Sequence, residues 1–261
     1  MWKTEMFPDT YTVKARIFPA ILATLPVLVL AAAIVSWQQL GISHVVVTGL
    51  LSILLYALSD LARRRGKSLE DTLYHNMGGK PSTSMLRHRD SRFDAVTKER
   101  WCKFLASRLA TQAPSAEAEA RDPTAADAFY ASCGDWLREH TRDRRKFKLI
   151  FEELVTYGFR RNLLGLKWPA LIMDVLVLVG CLSALWFRLP FSPDDTLAMK
   201  LIFVLVVAAC HALYFILAVN EGAVMEAANQ YARQLLLGCE VLMTSLPATP
   251  SRKRTNESAM T

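Results

Sequence analysis

The stretch IFPAILATLPVLVLAAAIVSW, residues 17–37, carries no charged side chain from end to end. As a helix it is about 30 Å long, the thickness of a hydrocarbon core. It is too long for the apolar core of a signal peptide, and another apolar run follows after four residues, so Ala31-Ala32-Ala33 is not read as a cleavage site. Three further runs resemble it in length and composition: Ile42–Ser59, Pro169–Phe187 and Leu201–Val219. They form two pairs joined by short loops, Gln38–Gly41 and Arg188–Lys200. No β-rich stretch appears. The expected fold is an all-α membrane protein with four transmembrane helices in two hairpins, a helical cytosolic domain and a long helical extension after the fourth span.

Charge gives the expected orientation. Residues 60–168 hold 22 of the 31 lysines and arginines against 15 acids, and so account for the net charge of +7. Lys3, Lys14 and Arg16 precede the first run; Arg233, Arg252, Lys253 and Arg254 follow the last. The positive-inside bias therefore places both termini and residues 60–168 in the cytoplasm. The five cysteines contain no CxxC pair, and reduced thiols are expected, with no metal site.

The chain divides on this reading into an N-terminal arm and first hairpin (1–59), a basic helical domain (60–168), a second hairpin (169–219), a helix (220–247) and a disordered tail (248–261). Pro19 and Pro26 are expected to kink or loosen the first span. The second span should continue as helix to about residue 77, where Gly78-Gly79 and Pro81 end it. A helix over FDAVTKERWCKFLASRLA should bury Val96, Phe104, Leu105 and Leu109, and TQAPSAEAEARDP, 111–123, reads as a mobile linker. After the fourth span, one helix of about 45 residues is expected from Leu201. Val224, Ala228, Tyr231, Leu235, Cys239, Leu242 and Leu246 recur on it at spacings of three and four, the pattern of an oligomerisation seam.

Ionisable groups inside a span are costly and usually functional. Asp174 and His211 lie about 8 Å and 12 Å from the cytosolic ends of neighbouring antiparallel helices, so they are placed to meet. Such a pair either lines a pore or holds a gate, or is an interhelical hydrogen bond that fixes packing. In the basic domain, GGKPSTSMLRHRD combines glycines with Lys80, Ser82, Thr83, Arg87, His88 and Arg89. Freed N–H groups, hydroxyls and guanidinium forks suit phosphate oxygens. The competing reading is a solvated loop that caps the next helix. Arg144 and Arg145, with Trp136 and Phe147 nearby, extend the candidate surface for a nucleotide or single-stranded nucleic acid. No cofactor is implied, and no GxSxG, HExxH or paired-carboxylate motif argues for an enzyme.

Two hairpins around a basic domain that begins with GGKPSTSMLRHRD resemble the small four-span pore-forming effectors of bacterial antiphage systems, including Hailong-type systems. The resemblance implies an oligomeric channel controlled by a nucleotide or DNA oligomer, encoded beside a nucleotidyltransferase, that depolarises the membrane. Two other readings fit the layout: a non-conducting scaffold for a cytosolic partner protein, and a small-solute transporter.

Overall fold

The computed structural model describes residues 9–35, 44–190 and 195–245. Leu246, the loop Gln38–Gly41 and the tail 248–261 lie outside them. All regular structure among the described residues is helical: α1 (Thr10–Thr12), a π-helical turn (Val13–Ile17), α2 (Phe18–Ile34), α3 (His44–Ser68), α4 (Glu70–Asn76), α5 (Pro81–Ser84), α6 (Ala95–Arg108), α7 (Ala116–Arg121), α8 (Pro123–His140), α9 (Lys148–Gly165), α10 (Lys167–Trp186), α11 (Thr196–Leu217) and α12 (Glu221–Ser245). Four helical stretches, beginning at Thr10, Val46, Lys167 and Thr196, are long and apolar enough to cross a membrane. The chain forms two compact units, Met1–Met77 with Phe151–Tyr231, and Gly78–Ile150 with Ala232–Thr261.

In the first unit α2, α10 and α11 pack against one another in pairs. Small side chains let the backbones approach: Ala208 lies among Val177, Cys181, Leu201 and Val204. Another cluster gathers Ala20, Ala23, Ala62, Leu163, Ala170 and Phe215. Helix α3 is attached differently. Ser59, Ala62 and Gly66 are buried, whereas every residue from Val46 to Ala57 is exposed or half-buried. Glycine makes its crossing with α9 possible. A Cβ on Gly165 would stand 2.5 Å from the Gly66 nitrogen, and one on Gly66 would stand 2.6 Å from Asn162 Oδ1.

A π-helical turn, Val13–Ile17, precedes Pro19, and other helices supply the donors that the prolines lack. Proline at position i leaves the carbonyl of i−4 without its helical N–H. For Pro19 that carbonyl is Ala15, and Asn162, fully buried, donates Nδ2–H to it at 2.6 Å. For Pro26 it is Leu22, and His211 Nε2 lies 2.7 Å away.

The expected 45-residue helix is two helices, α11 and α12, broken at 218–220. Asn220 caps the second, accepting from Ala223 N–H at 2.9 Å and donating Nδ2–H to Leu217 O at 3.1 Å. Lys167 fixes the break by donating to Val219 O at 2.6 Å, a cation at a helix C-terminus.

The second unit is built on α8, against which α5, α6 and α7 pack. Trp101, Leu105, Tyr130, Cys133, Leu137, Leu235, Leu236 and Cys239 are completely buried. Asp94, Ser115 and Asp122 cap α6, α7 and α8 through N–H groups three residues on, at 2.8 to 3.2 Å. The expected mobile linker 111–123 thus contains a capped helix of six residues, α7. Val96, expected inside, is 74% exposed, and Trp101 takes the core position instead.

Candidate functional sites in the apolar bundle and the basic loop

Asp174 on α10 and His211 on α11 meet. Both are buried, with Nδ1 of the imidazole 2.9 and 3.0 Å from the two carboxylate oxygens. Nε2 faces the Leu22 carbonyl, which only accepts, so Nε2 carries a proton. One further proton must then lie between Nδ1 and the carboxylate. The pair is either imidazolium and carboxylate or imidazole and carboxylic acid, and it is neutral overall in both forms. Every polar atom of the ring is satisfied, and three helices converge on it. The arrangement is suited to locking the bundle.

The basic loop is folded tightly onto its own unit. Ser82, Thr83 and Ser84 are buried in α5, and a Cβ on Gly134 of α8 would meet Ser82 Oγ at 3.2 Å. Arg87 donates through Nε and Nη2 to Asp127 at 2.8 and 2.7 Å and through Nη1 to Gly78 O at 2.8 Å. The hydrogen bond that Arg87 donates to Asp127 raises the Arg87 pKa further, despite burial. Lys98, buried, donates to the carbonyls of Arg87, His88 and Asp90 at 2.7, 3.1 and 2.6 Å. Glu119 of α7, also buried, accepts from His88 N–H and Tyr130 Oη, each at 2.8 Å. Burial and that carboxylate push the Tyr130 phenol well above its ordinary range. His88 Nε2 lies 3.0 Å from Pro114 O, and Arg89 stands 4.0 Å from Glu119.

Of the eight residues expected to hold an anion, Ser82, Thr83 and Arg87 are therefore occupied inside the fold. Lys80, Arg89, Arg144 and Arg145 are at the surface. Lys98 and Glu119 were not legible as site residues, because nothing in a helical sequence pattern marks a charged side chain that folds back onto a loop. The freed carbonyls of Ala15 and Leu22 do have a sequence signal, the residue four before each proline.

The seam on α12 is used within the chain. Val224 and Ala228 are buried with Leu73 and Tyr157, and Tyr231 stacks on Tyr157 with ring centroids 6.3 Å apart. Leu235, Cys239 and Leu242 are buried; beside them, a Cβ on Gly238 would meet Ile150 Cδ1 at 3.0 Å. The periodicity that suggested oligomerisation records the burial of one face inside the protomer. The same region holds a polar cluster that the sequence did not announce. Tyr157 donates to Glu70 at 2.8 Å, its hydroxyl lies 2.8 Å from that of Tyr74, and Arg161 pairs with Glu70.

Compared with protein-family models, curated proteins and solved structures, the chain finds no match.

Proposed function

We propose that the protein is the protomer of an oligomeric membrane channel, in which α3 faces the shared axis and the basic segment on the cytosolic side controls opening. The observation that supports this reading is the isolation of α3. Three apolar helices are joined by packing and by side-chain donors to freed carbonyls. The fourth, from Val46 to Ala57, has no fully buried residue and carries Thr48, Gly49 and Ser52 at membrane depth. A helix so placed gains its packing partners from other copies of the chain. Its hydroxyls offer a permeating ion ligands that apolar residues do not. Ser52 Oγ is bonded to Thr48 O at 2.8 Å, so the stripe is also tolerable in lipid before assembly.

On this reading the Asp174–His211 pair locks the outer bundle, and conduction does not pass through it. Control by a nucleotide or oligonucleotide falls to the surface cations Lys80, Arg89, Arg144 and Arg145, and requires unequal affinity for open and closed states. In the effector setting that the layout resembles, opening would depolarise a bacterial inner membrane.

The test is single-channel current from the purified chain in a planar bilayer. Thr48→Trp should cut unitary conductance several-fold, while Val175→Trp, at a position 57% exposed on α10, should leave it unchanged. Equal currents from both variants and the parent protein would remove α3 from the pathway. A silent bilayer with intact oligomers would favour the scaffold.

A further inference from the structure

Between α3 and the helix that begins at Thr10 lies a cleft of ≈ 530 Å³, within the size range of about 300–1,000 Å³ typical of ligand sites. Its lining is two-faced. Ile17, Leu55 and Tyr56 give it an apolar wall, and Arg16 and Arg63 line it as well. Neither arginine has an acidic partner among the described residues. Arg16 lies over the Tyr11 ring at 5.4 Å. Asp60, the carboxylate in the lining, is held by Arg64 at 2.7 Å. Ser59 lines the same cleft and is only 6% exposed. A half-buried guanidinium, Arg16, and an exposed one, Arg63, beside an apolar wall match an amphiphile with an anionic head and a tail.

We propose that this cleft binds an anionic phospholipid, with its phosphate between Arg16 and Arg63 and an acyl chain along Ile17, Leu55 and Tyr56. The guanidinium pair selects phosphate. The apolar wall selects a phosphate that carries a tail: Ile17 opens the first apolar run, and Leu55 and Tyr56 belong to the second. Both arginines flank these runs, at the depth where basic side chains meet anionic headgroups.

The test is native mass spectrometry of the full chain from detergent, with dioleoylphosphatidylglycerol or dioleoylphosphatidylcholine added, and with inorganic phosphate as the soluble competitor. The parent protein should retain the anionic lipid at least ten-fold better than the zwitterionic one. Arg16→Gln with Arg63→Gln should abolish that preference, and Leu55→Trp, which fills the apolar wall and keeps both cations, should lose the lipid while eluting as the parent does. Arg65→Gln, outside the cleft, should change nothing. Retention by Leu55→Trp, an equal loss in Arg65→Gln, or displacement of the lipid by millimolar phosphate would each overturn the assignment, the last in favour of a free-anion site.

Discussion

His211 Nε2 lies 2.7 Å from the carbonyl oxygen of Leu22, the carbonyl that Pro26 deprives of its helical donor. A residue that ordinarily weakens a helix here creates an acceptor for a neighbouring one. Asn162 and Ala15 repeat the relationship one proline earlier. In lipid an unpaired carbonyl has no water to turn to, so each proline is tolerated because a side chain from elsewhere in the chain answers it.

The relation between His211 and Pro26 predicts non-additivity. His211→Ala leaves both Leu22 O and Asp174 without partners. In a Pro26→Ala background, the new N–H at position 26 bonds Leu22 O, and the same histidine deletion should cost about 0.5–1 kcal/mol less. Unfolding in mixed detergent measures all four corners of the cycle. Simple additivity would mean that the carbonyl contact contributes nothing to stability.

The protons of the pair lead to a second expectation. Asn at position 174 can donate to a neutral Nδ1, so Asp174→Asn should preserve assembly and most of the stability. Asp174→Leu strands the imidazole nitrogen and should cost about 1–3 kcal/mol more. If the two variants unfold together, the hydrogen bond to Nδ1 is not what holds α10 to α11.

The glycines separate into two classes that a substitution series should resolve. Ala at Gly66 or Gly165 would drive a Cβ into backbone or Asn162 at 2.5 to 2.6 Å, forcing α3 and α9 apart at about 1–3 kcal/mol. Gly49 and Gly180 have nothing within 4 Å of an added Cβ. Alanine there should be neutral or stabilising by up to about 1 kcal/mol. Melting temperatures of the four variants should fall for the first pair only.

The apolar helices were legible because a run without charge has few other solutions, and Asp174 and His211 because an ionisable group in such a run must find a partner. The α12 seam shows the limit of periodicity. Spacings of three and four mark a buried face but not whether the same chain or another covers it. The break at 218–220 was signalled by Asn220 followed by Glu221, a capping pattern hidden inside continuous helical character. The loop was harder. Its composition fits an anion site and a folded cap equally well, and only the positions of Lys98, Glu119 and Asp127, on three later helices, show which groups are spent.

The buried thiols give a pH dependence. Burial pushes Cys102 up from 9.0 to about 11, and Cys133 and Cys239 higher still. A raised thiol pKa favours the neutral form in the folded state. Its contribution to stability is thus complete below pH 9 and is lost as pH rises through 9 to 11 and beyond. Iodoacetamide at pH 8 should leave all three unmodified in the folded protein and label them after denaturation. Labelling at equal rates in both states would mean that this core opens readily.

Arg87 and the surface cations should part company when they are replaced. Arg87→Ala removes three donated hydrogen bonds and leaves Asp127 and the Gly78 carbonyl unanswered. It should lower the melting temperature of the second unit, and Arg87→Lys should recover little, because an ammonium cannot reproduce the two-pronged contact with Asp127. Lys80→Glu with Arg89→Glu should change that temperature less, since the Arg89 guanidinium is mostly exposed and stands 4.0 Å from Glu119, a long contact. If the exposed cations bind a nucleotide or oligonucleotide, the double reversal should weaken binding at least ten-fold at low salt. The difference from the parent should shrink as salt rises, because each counterion released gains less entropy in a more concentrated salt solution. Fluorescence anisotropy with a labelled single-stranded DNA oligomer reads both quantities. Binding that survives the double reversal at every salt concentration would place the nucleic-acid surface elsewhere, with Arg144 and Arg145 the next positions to reverse.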